Sequence, residues 1–282
     1  LRSICEAVLG ISAERPLPPF ARQTFQQWFA ANADRAPARG PRVVLFPDAF
    51  NAYHTPAPLQ AAAQVLWATG HRVELPPGAV GSGRTLLSKG LVPQARQRAR
   101  QTVETLAPYA EQNVPIVGLE PSSILTLRDE FLDLLPDEPR TEFVADTTRT
   151  FSEYVAAQAE TGHLDGQPGD RGTVLLHGHC HQNALTGTNA TERALRLSGY
   201  EVEAIDAGCC GMAGSFGYEA EHAAVSRQMA ELRLAPAVRQ APADTKIAAT
   251  GFSCRSQIKD LTNRTAEHPA QLLWRAIDGD PQ

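Results

Sequence analysis

The chain of 282 residues lacks most features that identify a class of function directly. No apolar run approaches the roughly 18–20 residues of a membrane span, and no secretory signal pattern opens the chain. The formal net charge of −5 argues against nucleic-acid binding, which calls for a basic surface. The Walker A, G-x-S-x-G and H-E-x-x-H motifs are absent. What remains is an ordinary globular composition, with 43% hydrophobic and 20% charged residues in one or two domains.

Cysteine is also scarce, with five residues in the chain. An odd and small number disfavours a disulfide scaffold and fits a reducing compartment, so we expect the chain to be cytoplasmic. Cys5 reads as a residue on a helix face. The other four lie in three short segments of the second half, Cys180 in HGHCHQ, Cys209 and Cys210 in AGCCGMAG, and Cys254 in GFSCRSQ. Thiolates are the ligands that zinc and iron–sulfur clusters select, so these four cysteines are the predicted metal ligands.

The adjacent cysteine pair bears on which metal is bound. Paired cysteines on a zinc ion are usually two to four residues apart, whereas vicinal thiolates more naturally bind different irons of one cluster. Glycines surround the pair at Gly208, Gly211 and Gly214. They would let backbone N–H groups approach sulfide or thiolate closely, and we predict that they contact the cofactor. A mobile loop ahead of the next helix is the simpler alternative.

Histidines flank the first predicted ligand, with His179 and His181 on either side of Cys180 and His177 two residues before His179. Alternate positions of a strand face one side, but the predicted strand ends near His177. Each histidine could be a ligand, a donor to thiolate, a proton carrier near a substrate, or an ordinary loop residue. We assign His179 and His181 to the predicted cofactor site.

Strands alternating with helices occur twice along the chain. Strands are predicted at 43–46, 73–75 and 116–119 in the first copy, and at 173–177, 202–205 and 246–249 in the second. Such alternation predicts parallel βαβ units, with site loops at the carboxyl ends of the strands. We therefore predict an α/β fold of two lobes related by a pseudo-two-fold axis. The expected divisions are a helical linker at 1–40, a first lobe at 41–140 and a second lobe at 141–282.

The spacing of the cysteines resembles the cysteine-rich CCG domain, in which Cys, Cys-Cys-Gly and a closing Cys follow at intervals of about thirty and forty residues. That domain occurs in iron–sulfur subunits of glycolate oxidase and anaerobic glycerol-3-phosphate dehydrogenase, and in one of the subunits of heterodisulfide reductase. The segments HGHCHQNAL, IDAGCCGMAGSFGYEAEH and GFSCRSQI are most similar to large fusion proteins. In those proteins an FAD-linked oxidase domain precedes a ferredoxin-like segment and CCG repeats. The resemblance covers residues 1 to about 275.

The first copy departs from the pattern that this resemblance implies. Residues 81–83, Gly-Ser-Gly, stand where the family has Cys-Cys-Gly, Ser123 stands where it has the closing cysteine, and Ala49 stands near the place of the first. Gly251 stands where the non-cubane cluster of the heterodisulfide reductase relatives has a further cysteine. The resemblance therefore implies an ordinary [4Fe–4S] cluster in the second copy, and a first lobe that keeps only its shape.

The function that the resemblance implies is an iron–sulfur electron-transfer module of an FAD-linked 2-hydroxyacid dehydrogenase of the lactate, glycolate or 2-hydroxyglutarate type. Its partners would be the FAD-linked oxidase domain or subunit, which carries the FAD, and a ferredoxin-like segment. The ferredoxin cysteine run is absent and the chain begins at Leu1, so we expect a piece of a larger fusion, inactive alone. Two alternatives stay open. One is a zinc-stabilised or metal-free docking domain, and the other is thiol–disulfide catalysis by Cys209 and Cys210.

Overall fold

Two parallel four-stranded sheets form the framework of the computed structural model, which describes residues 2–159 and 171–279. The first sheet has the order β2-β1-β3-β4 and the second the order β6-β5-β7-β8, with parallel pairing throughout the described strands. The strands are β1 (Arg42–Phe46), β2 (Arg72–Glu74), β3 (Ile116–Gly118), β4 (Thr148–Thr150), β5 (Thr173–His177), β6 (Glu201–Ala204), β7 (Lys246–Ala249) and β8 (Ala266–Glu267). The predicted α/β class with tandem βαβ lobes is confirmed.

Helices cover both faces of each sheet, as parallel crossovers require. Those up to the end of the first sheet are α1 (Arg2–Leu9), α2 (Phe25–Ala31), α3 (Ala49–Tyr53), α4 (Ala57–Ala68), α5 (Arg84–Ser88), α6 (Val92–Ala110), α7 (Pro121–Ile124), α8 (Glu130–Leu134) and α9 (Arg140–Thr147). The others are α10 (Phe151–Ala159), α11 (Cys180–Leu185), α12 (Asn189–Leu197), α13 (Ala223–Leu232), α14 (Leu234–Gln240), α15 (Phe252–Thr262) and α16 (Pro269–Asp278). No helix in the described ranges combines the length and the apolar character needed to cross a membrane.

The hydrophobic core follows from the burial of these sheets on both faces. Val43, Val44 and Leu45 of the central strand β1 are completely buried, because a parallel strand covered on both sides needs apolar residues at consecutive positions. In α6 the buried residues Ala95 and Ala99 recur every four positions, which is the spacing of a single helix face. The sequence pattern therefore placed both elements correctly.

Each lobe packs its last helix on the first crossover helix of the other lobe. Helix α16 contacts α4, and α10 contacts α12. Leu273 of α16 is buried in one hydrophobic cluster with Leu59 of α4, and Ala194 of α12 lies in the same cluster as Phe151 of α10. This reciprocal packing is what a pseudo-two-fold relation between the lobes requires, and it joins them through a shared core.

Some elements differ from the sequence prediction. Strand β4 pairs with β3, so the first sheet continues past residue 140, where we expected the first lobe to end. The helical stretch that follows β3 is interrupted, since the backbone at Asp129 (φ −117°, ψ −84°) is not helical. Neither β4, with the sequence Thr-Arg-Thr, nor β8, with the sequence Ala-Glu, was predicted, because neither contains the apolar run that marks a buried strand.

Candidate metal centre

All four predicted ligands meet at the carboxyl edge of the second sheet. Cys180 begins α11 after β5, Cys209 and Cys210 follow β6, and Cys254 lies in the first turn of α15 after β7. Their thiols form a chain of S–H···S contacts in the order Cys180, Cys209, Cys210, Cys254. All four are free cysteines. The structure therefore brings together side chains that lie up to 74 positions apart in the sequence.

The thiols alternate in their tendency to ionise. Hydrogen bonds from Cys180 and Cys210 lower the pKa of Cys209, and a hydrogen bond from Cys210 lowers the pKa of Cys254, with His177 adding to that effect. The same contacts, together with burial, raise the pKa of the two donors, Cys180 and Cys210. Thiolate is the form that binds metal, so the arrangement offers two preformed ligands and two that must release a proton.

A histidine outside the predicted ligand set completes the buried side of the site. The side chain of His177 is entirely buried at the end of β5, and neither ring nitrogen has a nitrogen or oxygen partner. One of its nitrogens and the sulfurs of Cys210 and Cys254 all lie within 4.8 Å of one another. A buried imidazole whose polar neighbours at this site are thiols adds a nitrogen donor to the sulfurs, and this donor set fits a metal ion or an iron–sulfur cluster.

Gly211 is the predicted glycine at which a side chain is most strongly excluded. Its φ is +86°, and a Cβ there would lie 2.2 Å from the carbonyl oxygen of Ser226. The N–H of Gly211 donates to the sulfur of Cys209 at 3.3 Å, a contact that stabilises negative charge on that sulfur. Gly214 also has a positive φ, but open space surrounds its Cβ position, and Gly208 shows neither constraint. Among the three predicted glycines, Gly211 donates a hydrogen bond to a cysteine sulfur and Gly214 lines the cavity beside the cysteines.

The histidines at 179 and 181 face the first lobe. His179 is the N-cap of α11, its Nδ1 accepting from the backbone N–H of His181 at 3.1 Å, and its Nε2 lies 3.7 Å from Oε1 of Glu120. The Nε2 of His181 lies 3.9 Å from Oε2 of Glu130. Burial, with the nearby Arg84 second, lowers the pKa of His181 to about 4. Both rings thus stand between the cysteines and charged groups of the first lobe.

The ring of His179 also covers Gly251. A Cβ at Gly251 would lie 2.3 Å from Cδ2 of His179 and 3.2 Å from the sulfur of Cys254. A further cysteine at this position, as the non-cubane form would need, therefore has no room in the present arrangement. The four cysteines are the thiol set with which this site must work.

Glu120 of the first lobe caps the helix that carries Cys254. It follows β3 as Gly251 follows β7, and it is 3% exposed. Its Oε2 accepts from the N–H of Phe252 at 2.7 Å, while its Oε1 accepts from the hydroxyl of Ser122 at 2.8 Å. Because the N-cap residue of α15 is a glycine without a side chain, a carboxylate from the other lobe satisfies the helix terminus. From the sequence, Glu120 was only part of a predicted turn, and this role was missed.

The N-terminal segment, expected as a helical linker, is hydrogen-bonded through Gln257 to the loop that carries Cys210. Arg15 is buried and donates to Oε1 of Gln257 and, at 3.1 Å, to the hydroxyl of Ser226. The Nε2 of Gln257 in turn donates to the carbonyl oxygens of Cys210 at 2.9 Å and Ser226 at 3.0 Å. A single arginine in a proline-rich stretch gave no signal of this in the sequence.

Asp48 is the N-cap of α3 and is buried at the lobe interface. Its carboxylate accepts from the backbone N–H of Asn51 at 3.0 Å and from the Asn51 amide at 2.8 Å. Burial, followed by the charge of Glu120, raises the pKa of Asp48 to about 6. The folded protein therefore holds this proton more tightly than the unfolded chain, so the contribution to stability is present at low pH and is lost as pH rises from about 4 to 6.

We expect Asp48→Asn to remove this pH dependence. The free energy of unfolding of the wild type, measured relative to the variant, should fall by about 1–1.5 kcal/mol between pH 5 and pH 7.5. Denaturant unfolding of the wild type and the variant at the two pH values measures this difference in the free energy of unfolding. Asp137→Asn, which removes a carboxylate from an exposed position, is the control. A constant difference between wild type and Asp48→Asn would contradict the interpretation.

A cavity of about 740 Å³ lies between the lobes, with Cys180, Cys209 and Cys210 on one wall. Ala49, Ser82 and Ser123, which stand where the family pattern has cysteines, all line it from the first lobe. Arg84 and Arg98 also line it, Arg84 in an ion pair with Glu130. The second lobe contributes His179, Cys180, His181, Cys209, Cys210 and Met212 among others. The space left by the lost ligands therefore gives a small molecule or a partner segment access to the thiols.

Comparison with known proteins identifies the cysteine-bearing half. Residues 174–259 match the family model CCG, described as a cysteine-rich domain. The D-2-hydroxyglutarate dehydrogenase of Escherichia coli K12 is 29% identical over 259 residues, 91% of this chain and 24% of that protein. The enzyme of the same name from Pseudomonas putida KT2440 is 30% identical over 82% of this chain and 22% of its own length. A subunit of the anaerobic glycerol-3-phosphate dehydrogenase of Escherichia coli K12 is 26% identical over 98% of this chain and 69% of its own length.

The chain thus spans about a quarter of the length of the D-2-hydroxyglutarate dehydrogenases that it matches. The matched family segment runs from Val174 in β5 to Lys259 in α15, and so contains all three cysteine segments. The resemblance to CCG-type proteins expected from the cysteine spacing is therefore confirmed.

Proposed function

We propose that the chain is the electron-transfer module of an FAD-linked dehydrogenase acting on 2-hydroxyacids of the lactate, glycolate or 2-hydroxyglutarate type. The observation that carries the proposal is the convergence of Cys180, Cys209, Cys210 and Cys254 in one chain of sulfur contacts, the first three of them lining the cavity between the lobes. Its relatives are named as dehydrogenases or as part of one, which supports an oxidoreductase role. The predicted cofactor is a [4Fe–4S] cluster on these four thiolates.

The residues around the thiols fit the needs of a redox site. A bound iron–sulfur cluster would supply the capacity to accept and release one electron. Cys210 and Cys254 are buried and would shield the cluster from water, whereas Cys180 is exposed and faces the cavity between the lobes. The N–H of Gly211 donates to Cys209 and would favour a negatively charged sulfur, and the Glu120 cap keeps Cys254 in place.

The remaining parts of the proposal concern partners and divisions of the chain. We propose that the FAD lies on a separate oxidase domain or subunit, that a ferredoxin-like segment relays electrons, and that the complex is cytoplasmic. We also propose that the linker ends near residue 40. The first lobe then runs from about 41 and includes β4 and α10, and the second lobe follows it.

A second candidate function is a zinc-stabilised docking domain without a redox role. The spacing of His177, Cys210 and Cys254 favours it, because three ligand atoms within 4.8 Å of one another suit a single ion. Around a tetrahedral zinc, ligand atoms are separated by about 3.4–3.8 Å. In this form the cavity between the lobes would be a surface for a partner rather than a route for electrons.

Metal analysis after strictly anaerobic purification decides between the two. We expect about four iron and four acid-labile sulfide ions per chain, with a broad absorption band that bleaches when dithionite is added. One zinc per chain and no sulfide would instead support the docking domain. Protein that folds normally and retains neither metal would contradict both candidates.

A further inference from the structure

The buried histidines of this protein differ in how their ring nitrogens are used. In His268 both nitrogens have partners, since Nδ1 accepts from the N–H of Ala270 at 3.0 Å and Nε2 lies 3.3 Å from the carbonyl oxygen of Leu119. His177 is equally buried, yet neither of its nitrogens meets a nitrogen or oxygen partner. The partner that the ring of His177 meets is the thiol of Cys254, which is a weak hydrogen-bonding group.

The His177 ring lies beside the thiols of the site. It borders the thiol of Cys254, and a ring nitrogen lies within 4.8 Å of the sulfurs of both Cys210 and Cys254. Ligand atoms around a tetrahedral ion are separated by about 3.4–3.8 Å, which lies within this limit. The three groups come from the ends of β5, β6 and β7, so the framework of the second sheet fixes their relative positions.

We propose that His177 is a metal ligand, so that the centre has mixed thiolate and imidazole ligation instead of thiolates alone. This inference rests on the proposed metal-binding role of the site and replaces Cys180 with His177 in the ligand set. His177, Cys210 and Cys254 form the buried inner ligands, and Cys209 is the next sulfur along the chain of contacts. Cys180, the exposed member, is then free to face the cavity.

This assignment has a chemical consequence for the centre. Replacing a thiolate with a neutral imidazole removes one negative charge from the ligand set. In iron–sulfur centres, histidine ligation in place of cysteine raises the reduction potential. A mixed centre in this chain would therefore accept electrons more readily than a four-cysteine cluster in the same surroundings.

The proposal is tested with Co²⁺ alone, added to the metal-free full chain under anaerobic reducing conditions. X-ray absorption at the cobalt edge should show nitrogen and sulfur ligands, with the outer-shell scattering of an imidazole. His177→Ala should lose that imidazole contribution and bind Co²⁺ at least about tenfold more weakly. His177→Cys should restore the affinity with sulfur ligands only, which guards against a variant that merely fails to fold.

His54→Ala is the matched control, because the Nδ1 of His54 lies 2.9 Å from the carbonyl oxygen of Pro19, outside the cysteine site, and the variant should leave the imidazole contribution unchanged. A sulfur-only shell in the wild type, or an imidazole signal that survives in His177→Ala and disappears in His179→Ala, would overturn the proposal. Failure to bind Co²⁺ would overturn it as well. A sulfur-only cobalt site in a chain that still assembles iron and sulfide leaves the proposed function intact. Imidazole-bound cobalt in a chain without iron or sulfide supports the ligand and removes the redox role.

Discussion

Cys254→Ser should lower the bound metal per chain at least about tenfold. Cys254 is almost completely buried between Cys210 and His177, and its lowered pKa makes it the preformed thiolate of the inner site. A serine hydroxyl remains protonated at neutral pH and is a poor ligand for the soft metals that thiolates select. Metal analysis of the anaerobically purified variant, with the absorption spectrum beside that of the wild type, measures the loss.

The matched control for this prediction is Cys5→Ser, which removes the one cysteine outside the three segments and should leave the metal content unchanged. Circular dichroism of both variants separates loss of metal from loss of fold. A Cys254→Ser protein that keeps its full complement of metal would show that Cys254 is a buried structural thiol, and the ligand set would have to be reassigned.

Gly211→Ala should destabilise the protein by about 2–5 kcal/mol, from the cost of a left-handed backbone and the crowding of a filled space. The Cβ would lie 2.2 Å from the carbonyl oxygen of Ser226, a backbone atom that cannot rotate away. Gln257 also holds that carbonyl at 3.0 Å, so relief requires the movement of a buried network. Denaturant unfolding at constant pH measures the change.

Substitutions at two neighbouring glycines distinguish the two causes of the destabilisation expected for Gly211→Ala. Gly214→Ala carries the positive φ without the crowding and should cost about 1–2 kcal/mol. Gly208→Ala carries neither and should stay within about 0.5 kcal/mol of the wild type. If Gly211→Ala unfolds like Gly208→Ala, the loop conformation of the cysteine pair is not the one described.

The elements that depend on local pattern were predictable from the sequence. Central strands such as β1 and β5 are apolar because both faces are buried, and α6 shows helical spacing. The meeting of the cysteine segments followed from their position after predicted parallel strands. In each case burial or metal chemistry restricts which residue types can occur, so the residue types predict the structural element or the site.

Contacts between distant residues left no comparable pattern. Glu120 caps a helix 132 positions away, and Arg15 reaches Gln257 across 242 positions. Such bonds depend on the relative placement of lobes and segments, which a single sequence does not encode in any local period. His177 was seen only as one of three histidines, because its isolation from other polar groups is a property of the folded interior.

The position of His179 over Gly251 has a consequence for how this site can change over time. The two positions are coupled, since any side chain added at 251 meets the imidazole at 179. A fifth thiol at 251 therefore requires the His179 ring to turn aside or a smaller residue at 179. Either change would disturb the cap of α11 and the approach to Glu120. The residue at 179 thus bears on whether the present four-thiol site can become a five-cysteine form.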